Sequence, residues 1–143
     1  THNVQPEQVE IEITETQAME DYEDINPILN TLMKMGIKVS IDDFGTGYSS
    51  LAHLSTLSAS ALKVDKSFVD TLNTATPNSP DHILDMVHRL SEQCHFQVVA
   101  EGIETEGQRE ALLSKGYETG QGFLFARPMA LPDLIDWLNG QRR

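Results

Sequence analysis

Cysteine is almost absent. Cys94 stands alone among 143 residues, so no internal disulfide can form, and a reducing, cytoplasmic setting is expected. Basic residues are scarce, 10 against 22 acidic, and a formal net charge of -12 with no basic stripe makes duplex nucleic acid an unexpected partner. No apolar run reaches the length of a signal peptide or a membrane span, so this segment is expected to make no direct membrane contact, a condition that a membrane-anchored parent protein would also meet. An initiator methionine is missing too: Thr1 opens the chain, and Gln5-Pro6-Glu7 leads almost at once into a strand, which does not look like a natural beginning. Repeats are absent, and Asn73 to Pro80 is the only linker-like stretch.

What is present suits one compact unit, since 143 residues at 39% hydrophobic can bury a core. Five short, β-branched, mostly two-sided apolar segments read as buried parallel strands: Val9 to Thr14, Lys38 to Phe44, Ala61 to Asp65, Gln97 to Ile103, and a weaker one from Glu118 to Phe123. Helical patterns lie between them. Ile25, Ile28, Leu29, Leu32 and Met33 repeat at three-and-four spacing ahead of Gly36, with Pro27 suited to a first turn. Ser79-Pro80 opens a second helix with Ile83, Val87, Leu90 and Cys94 as its stripe. Thr105 and Gln108 form a capping box for a helix ending at Gly116, and Pro132 opens a last one in which Trp137 is read as a packing residue. The repeated β-α order implies an α/β fold with parallel strands, either a doubly wound sheet or a piece of a (βα) barrel.

The acidic residues are placed informatively. Glu12 lies in the first strand, Asp42 and Asp43 end the second, Asp65 ends the third, and Glu101 and Glu104 end the fourth. In parallel α/β folds ligands bind at that edge, so these side chains would share one mouth, joined by the positive charge of Lys63. Two carboxylates about 4 Å apart repel by roughly 4 kcal/mol at an effective dielectric near 20, so the cluster calls for cations or shared protons. All-oxygen donors without cysteine or paired histidines point to a hard ion such as Mg²⁺ or Mn²⁺. The plainer alternative is that Asp-Asp-Phe-Gly is a strand ending in a turn and that Glu12 and Glu101 are solvated strand ends. The histidines, His2, His53, His82, His88 and His95, fall in a tail and on helices and are not read as ligands.

Taken together, Glu12-Ile13-Thr14-Glu15, the decapeptide Asp42-Asp43-Phe44-Gly45-Thr46-Gly47-Tyr48-Ser49-Ser50-Leu51, Leu62-Lys63-Val64-Asp65, Ala100-Glu101-Gly102-Ile103-Glu104 and Gln121-Gly122-Phe123 resemble EAL domains in order and spacing. The resemblance implies a partial TIM-like (βα) barrel, about the last five βα units, with residues 1–143 forming the C-terminal portion of the domain. The N-terminal strands carrying the Glu-Ala-Leu glutamate and an asparagine ligand would then be absent. Glu110-Ala111-Leu112 spells the eponymous motif but sits on helical spacing and is read as coincidence. Ser58, Tyr117 and Phe123 replace a usual proline, a common cysteine and a frequent tyrosine.

The function implied is hydrolysis of cyclic di-GMP to linear pGpG in bacterial second-messenger signalling, with the isolated segment inactive. The alternative is a degenerate module that binds cyclic di-GMP or a protein partner without catalysis. Residue by residue, the resemblance implies that Glu12, Asp42, Asp43 and Glu101 hold two divalent ions, Mg²⁺ or Mn²⁺. Lys63 would orient the attacking water or offset phosphate charge, and Glu101 would serve as candidate general base. Gln121, Asp65 and Glu104 would contact substrate, Gln121 alternatively a water on the metal. Glu15 would steady the loop of Phe44, Gly45, Thr46, Gly47, Tyr48 and Ser49, which couples dimer contacts to the site. Homodimerisation or other self-association is expected, because missing barrel strands leave open edges at Val9 to Thr14 and near Gln121.

Overall fold

The computed structural model describes residues 3–47, 51–73 and 81–141. Strands β1 (Glu10–Thr14), β2 (Lys38–Phe44), β3 (Ala61–Val64), β4 (Gln97–Ala100) and β5 (Thr119–Gly120) form one parallel sheet in the order β1-β2-β3-β4-β5. That unbroken order decides between the two α/β architectures. A doubly wound sheet reverses direction at a switch point, whereas right-handed crossovers running one way lay their helices on the same face, as a barrel does. The helices are α1 (Glu15–Glu20), α2 (Tyr22–Lys34), α3 (Leu51–Leu54), α4 (Lys66–Asp70), α5 (Asp81–Cys94), α6 (Glu106–Ser114) and α7 (Leu131–Gln141).

Register explains how the sheet's two faces differ. Ile13 pairs with Ile41, Ile41 with Leu62, and Leu62 with Val98, making one apolar row across four strands. Ile41 and Leu62 are fully buried and join Leu29, Leu84, Val87 and Leu112 of the helices in a single core. Each such side chain contributes about 1.5–3 kcal/mol through burial. Because strand side chains alternate, Glu12, Ser40, Asp42, Lys63 and Glu101 belong to the other face. The strands are thus not apolar on both sides as expected: β3 is buried throughout, yet one of its four residues is Lys63.

Several element boundaries differ from the sequence pattern. Pro27 lies inside α2, because that helix starts at Tyr22. Its missing N–H costs one ladder bond. The neighbouring Asn26 anchors this stretch by donating to the Tyr22 hydroxyl (3.1 Å) and the Thr56 carbonyl (3.2 Å) while its Oδ1 accepts the Ser58 amide (2.7 Å). The fourth strand stops at Ala100, since Gly102 adopts φ +70°, and only Thr119–Gly120 of the weak fifth segment joins the ladder. Trp137 is 37% exposed, and Leu131, Ile135 and Leu138 of α7 are exposed with it, so the expected packing of that helix is not met among the described residues. The proposed Ser79-Pro80 cap lies outside the described residues, whereas the Thr105–Gln108 capping box is present, and Glu110, Ala111 and Leu112 sit within α6. Among the described residues no helix is long and apolar enough to cross a membrane.

Candidate active site

The site begins with a bulge. Between the pairs Ile41–Leu62 and Phe44–Val64, β2 spends three steps where β3 spends two. With regular alternation Asp43 would enter the apolar core and Phe44 would leave it. Instead Asp43 takes φ +54°, the extra residue is absorbed, and Phe44 returns to the core at 4% exposure. Asp42 and Asp43 are thereby kept together at the C-terminal end of the strand, Asp43 exposed and accepting the Thr46 amide and hydroxyl at its carbonyl (3.3 and 2.9 Å).

Three carboxylates, from within β1, near the end of β2 and just past β4, converge on one cation. Lys63 Nζ lies 2.9 Å from Glu12 Oε1, 3.3 Å from Asp42 Oδ1 and 2.8 Å from Glu101 Oε1. Glu101 Oε1 also accepts from Gln121 Nε2 at 2.6 Å, which brings in the fifth segment. Burial works against the Lys63 ammonium, but Glu101, Glu12 and Asp42 together outweigh it and hold its pKa above the ordinary lysine value. Burial raises the pKa of Glu101, which Lys63 opposes and the charges of Asp42 and Glu12 reinforce.

The remaining expected residues divide. Asp65 caps α4, accepting from the Ser67 amide at 3.0 Å and from the Ser67 hydroxyl, and does not join the Lys63 cluster. Glu104 pairs with Lys66 at the rim of a cavity of about 550 Å³ that Glu101 and Gln121 also line. Glu15, 2% exposed, accepts the Gly45 and Gly47 amides on one oxygen (2.8 and 3.1 Å) and so fixes the start of the loop that follows β2. Tyr48 and Ser49 lie outside the described residues. Pattern reading missed α1 and α4, although Thr14–Gln17 is a capping box and Asp65 a helix cap; both were visible as polar residues at cap spacing.

The donor set fits a divalent cation. Its ligands are oxygens only, and Asp42 Oδ1 is a buried acceptor that, although within ion-pair distance of Lys63, receives no hydrogen bond. Among the described residues no three carboxylate or imidazole groups already stand as a formed metal site; Lys63 occupies the centre between them.

Parallel strands in barrel order, with acidic groups gathered on one side toward their C-terminal ends, are the arrangement in which barrel proteins place ligands. The EAL domain family model matches residues 1–128, and the chain belongs to that family. It is 42% identical over 134 residues to the bifunctional diguanylate cyclase/cyclic di-GMP phosphodiesterase MucR of Pseudomonas aeruginosa, a match covering 94% of this chain and 19% of that protein. Among solved structures it resembles the MucR phosphodiesterase in complex with c-di-GMP, with TM-score 0.87 and 41% identity over 93% of this chain and 53% of that one. It also resembles Klebsiella pneumoniae BlrP1 in a manganese/cyclic di-GMP complex, with TM-score 0.78 and 38% identity over 87% of this chain and 31% of that one. The chain therefore spans about half or less of the relatives it matches.

Proposed function

We propose that residues 1–143 form the C-terminal part of an EAL barrel whose whole protein hydrolyses cyclic di-GMP to linear pGpG. The observation that carries this reading is the meeting of Glu12 from within β1, Asp42 from near the C-terminal end of β2 and Glu101 from just past β4 around Lys63 Nζ. The one-sided pairing of β1 and β5 among the described residues, and the exposed apolar side of α7, support a larger domain that covers them and a tendency of the isolated segment to self-associate.

Glu12, Asp42, Asp43 and Glu101 are the residues that would hold divalent ions. Such ions, when bound, supply a nucleophile at neutral pH and offset charge on the phosphate. Lys63 keeps a permanent positive charge beside the same carboxylates and acts as an electrostatic partner of the phosphodiester rather than as a proton donor. Both contacts to Glu101 fall on Oε1, so Oε2 is the atom through which it would take a proton. Gln121 fixes the orientation of Glu101, and Glu15 holds the loop bordering Asp43. The test is incubation of the full-length protein with cyclic di-GMP and Mg²⁺ or Mn²⁺, with separation of the products. Linear pGpG supports the reading, and bound but intact dinucleotide favours the non-catalytic module instead.

A further inference from the structure

The cavity beside Glu101 and Gln121 holds two cationic side chains in different states. Lys66 is engaged by Glu104. Arg127 lies with its guanidinium carbon 4.5 Å from the centroid of the Phe123 ring and makes no hydrogen bond or ion pair among the described residues. The turn that creates this stack is closed by the Phe125 and Ala126 amides, both on the Gly122 carbonyl (3.1 and 3.3 Å), and is pinned by the Leu124 amide on the Ile103 carbonyl (3.0 Å). Gly122 is required there, because an added Cβ would stand 2.1 Å from the Ile103 carbonyl oxygen.

We propose that Arg127, positioned by Phe123, reads the edge of a guanine base of the dinucleotide and so sets base specificity; this rests on cyclic di-GMP being the ligand. A phosphate asks only for charge, which a lysine supplies. A guanidinium held on an aromatic ring adds a fixed direction to its planar donors, and guanine answers with two adjacent acceptors, O6 and N7. Adenine presents N7 beside an amino donor on the same edge, which would face the guanidinium N–H groups. Of the carboxylates around Lys63, Glu101 also lines this cavity, so base and phosphate would be recognised by different side chains.

The experiment measures equilibrium binding of cyclic di-GMP and of its 7-deazaguanine analogue to the full-length protein, with turnover followed alongside, for the native protein, Arg127→Ala and Arg127→Lys. The native protein should prefer the parent ligand by on the order of tenfold, Arg127→Ala should lose that preference, and Arg127→Lys, whose ammonium can still donate to N7, should keep part of it. Retention of the native preference by Arg127→Ala, or equal weakening of both ligands in it, would overturn base reading by Arg127. Turnover with an unchanged preference refutes this inference alone, discriminating binding without turnover refutes the hydrolase reading alone, and failure to bind either ligand refutes both.

Discussion

Glu15 and Gly45, 30 residues apart in sequence, are joined by a 2.8 Å hydrogen bond from the Gly45 amide to Glu15 Oε2, and the same oxygen accepts the Gly47 amide at 3.1 Å. The start of α1 and residues 45–47 after β2 are therefore tied together. Glu15→Ala in the full-length protein should cost about 2–4 kcal/mol of folding stability, since two amide donors lose a charged acceptor. Glu15→Gln, which keeps one carbonyl oxygen, should cost about half as much. Denaturant unfolding checks the magnitude, and faster hydrogen exchange at the Gly45 and Gly47 amides checks the location.

The Lys63 cluster makes a prediction that does not depend on turnover. With the ammonium present, three carboxylates are partly neutralised; Lys63→Met leaves them facing one another. Glu101 is well shielded and Glu12 is half exposed, so water screens part of the effect, and a destabilisation of roughly 2–3 kcal/mol is expected in metal-free protein. Added Mn²⁺ should then raise the melting temperature of the variant more than that of the native protein. Equal shifts would show that Lys63 and the metal do not share these carboxylates.

Tyr117 offers an alkaline signature. It is buried and donates to the Leu84 carbonyl at 2.8 Å, and burial, with the charge of Asp85 in support, pushes its pKa well above 10.0. A folded-state pKa above the unfolded value means stability that is whole below about pH 10 and is lost as pH rises beyond it. Tyr117→Phe should cost about 1 kcal/mol at neutral pH through the lost hydrogen bond. Above pH 10 the native protein should lose stability more steeply than the variant, narrowing the gap between them. Unfolding free energies measured across that range decide it.

Much of the candidate site was legible because parallel strands bring their C-terminal residues to one edge whatever the helices between them do. Asp42 and Glu101 could be placed on that ground, and Glu12, inside β1, by the alternation that puts it on the same face. The bulge could not: nothing in Ile41-Asp42-Asp43-Phe44 reports that the chain spends an extra residue, and only its pairing with Leu62 and Val64 shows it. The sequence places Asp65 at the mouth, but the strand ends one residue earlier and its carboxylate is taken by the Ser67 amide and hydroxyl at the start of α4. Arg127 carried no signal, because its partner Phe123 lies across a turn whose closure depends on contacts with Ile103. The exposed side of α7 was likewise invisible, since an apolar stripe states that a face is to be covered and not by what.

The most direct test of the carboxylate cluster as a cation site is a titration of metal-stripped full-length protein with Mn²⁺, following free Mn²⁺ by its electron paramagnetic resonance signal, for the native protein and Asp42→Asn. Asp42 contributes the buried, unbonded Oδ1, so the variant should bind Mn²⁺ at least about tenfold more weakly. Superimposable binding curves for the two proteins, with both folded, would contradict a metal held at the C-terminal ends of these strands.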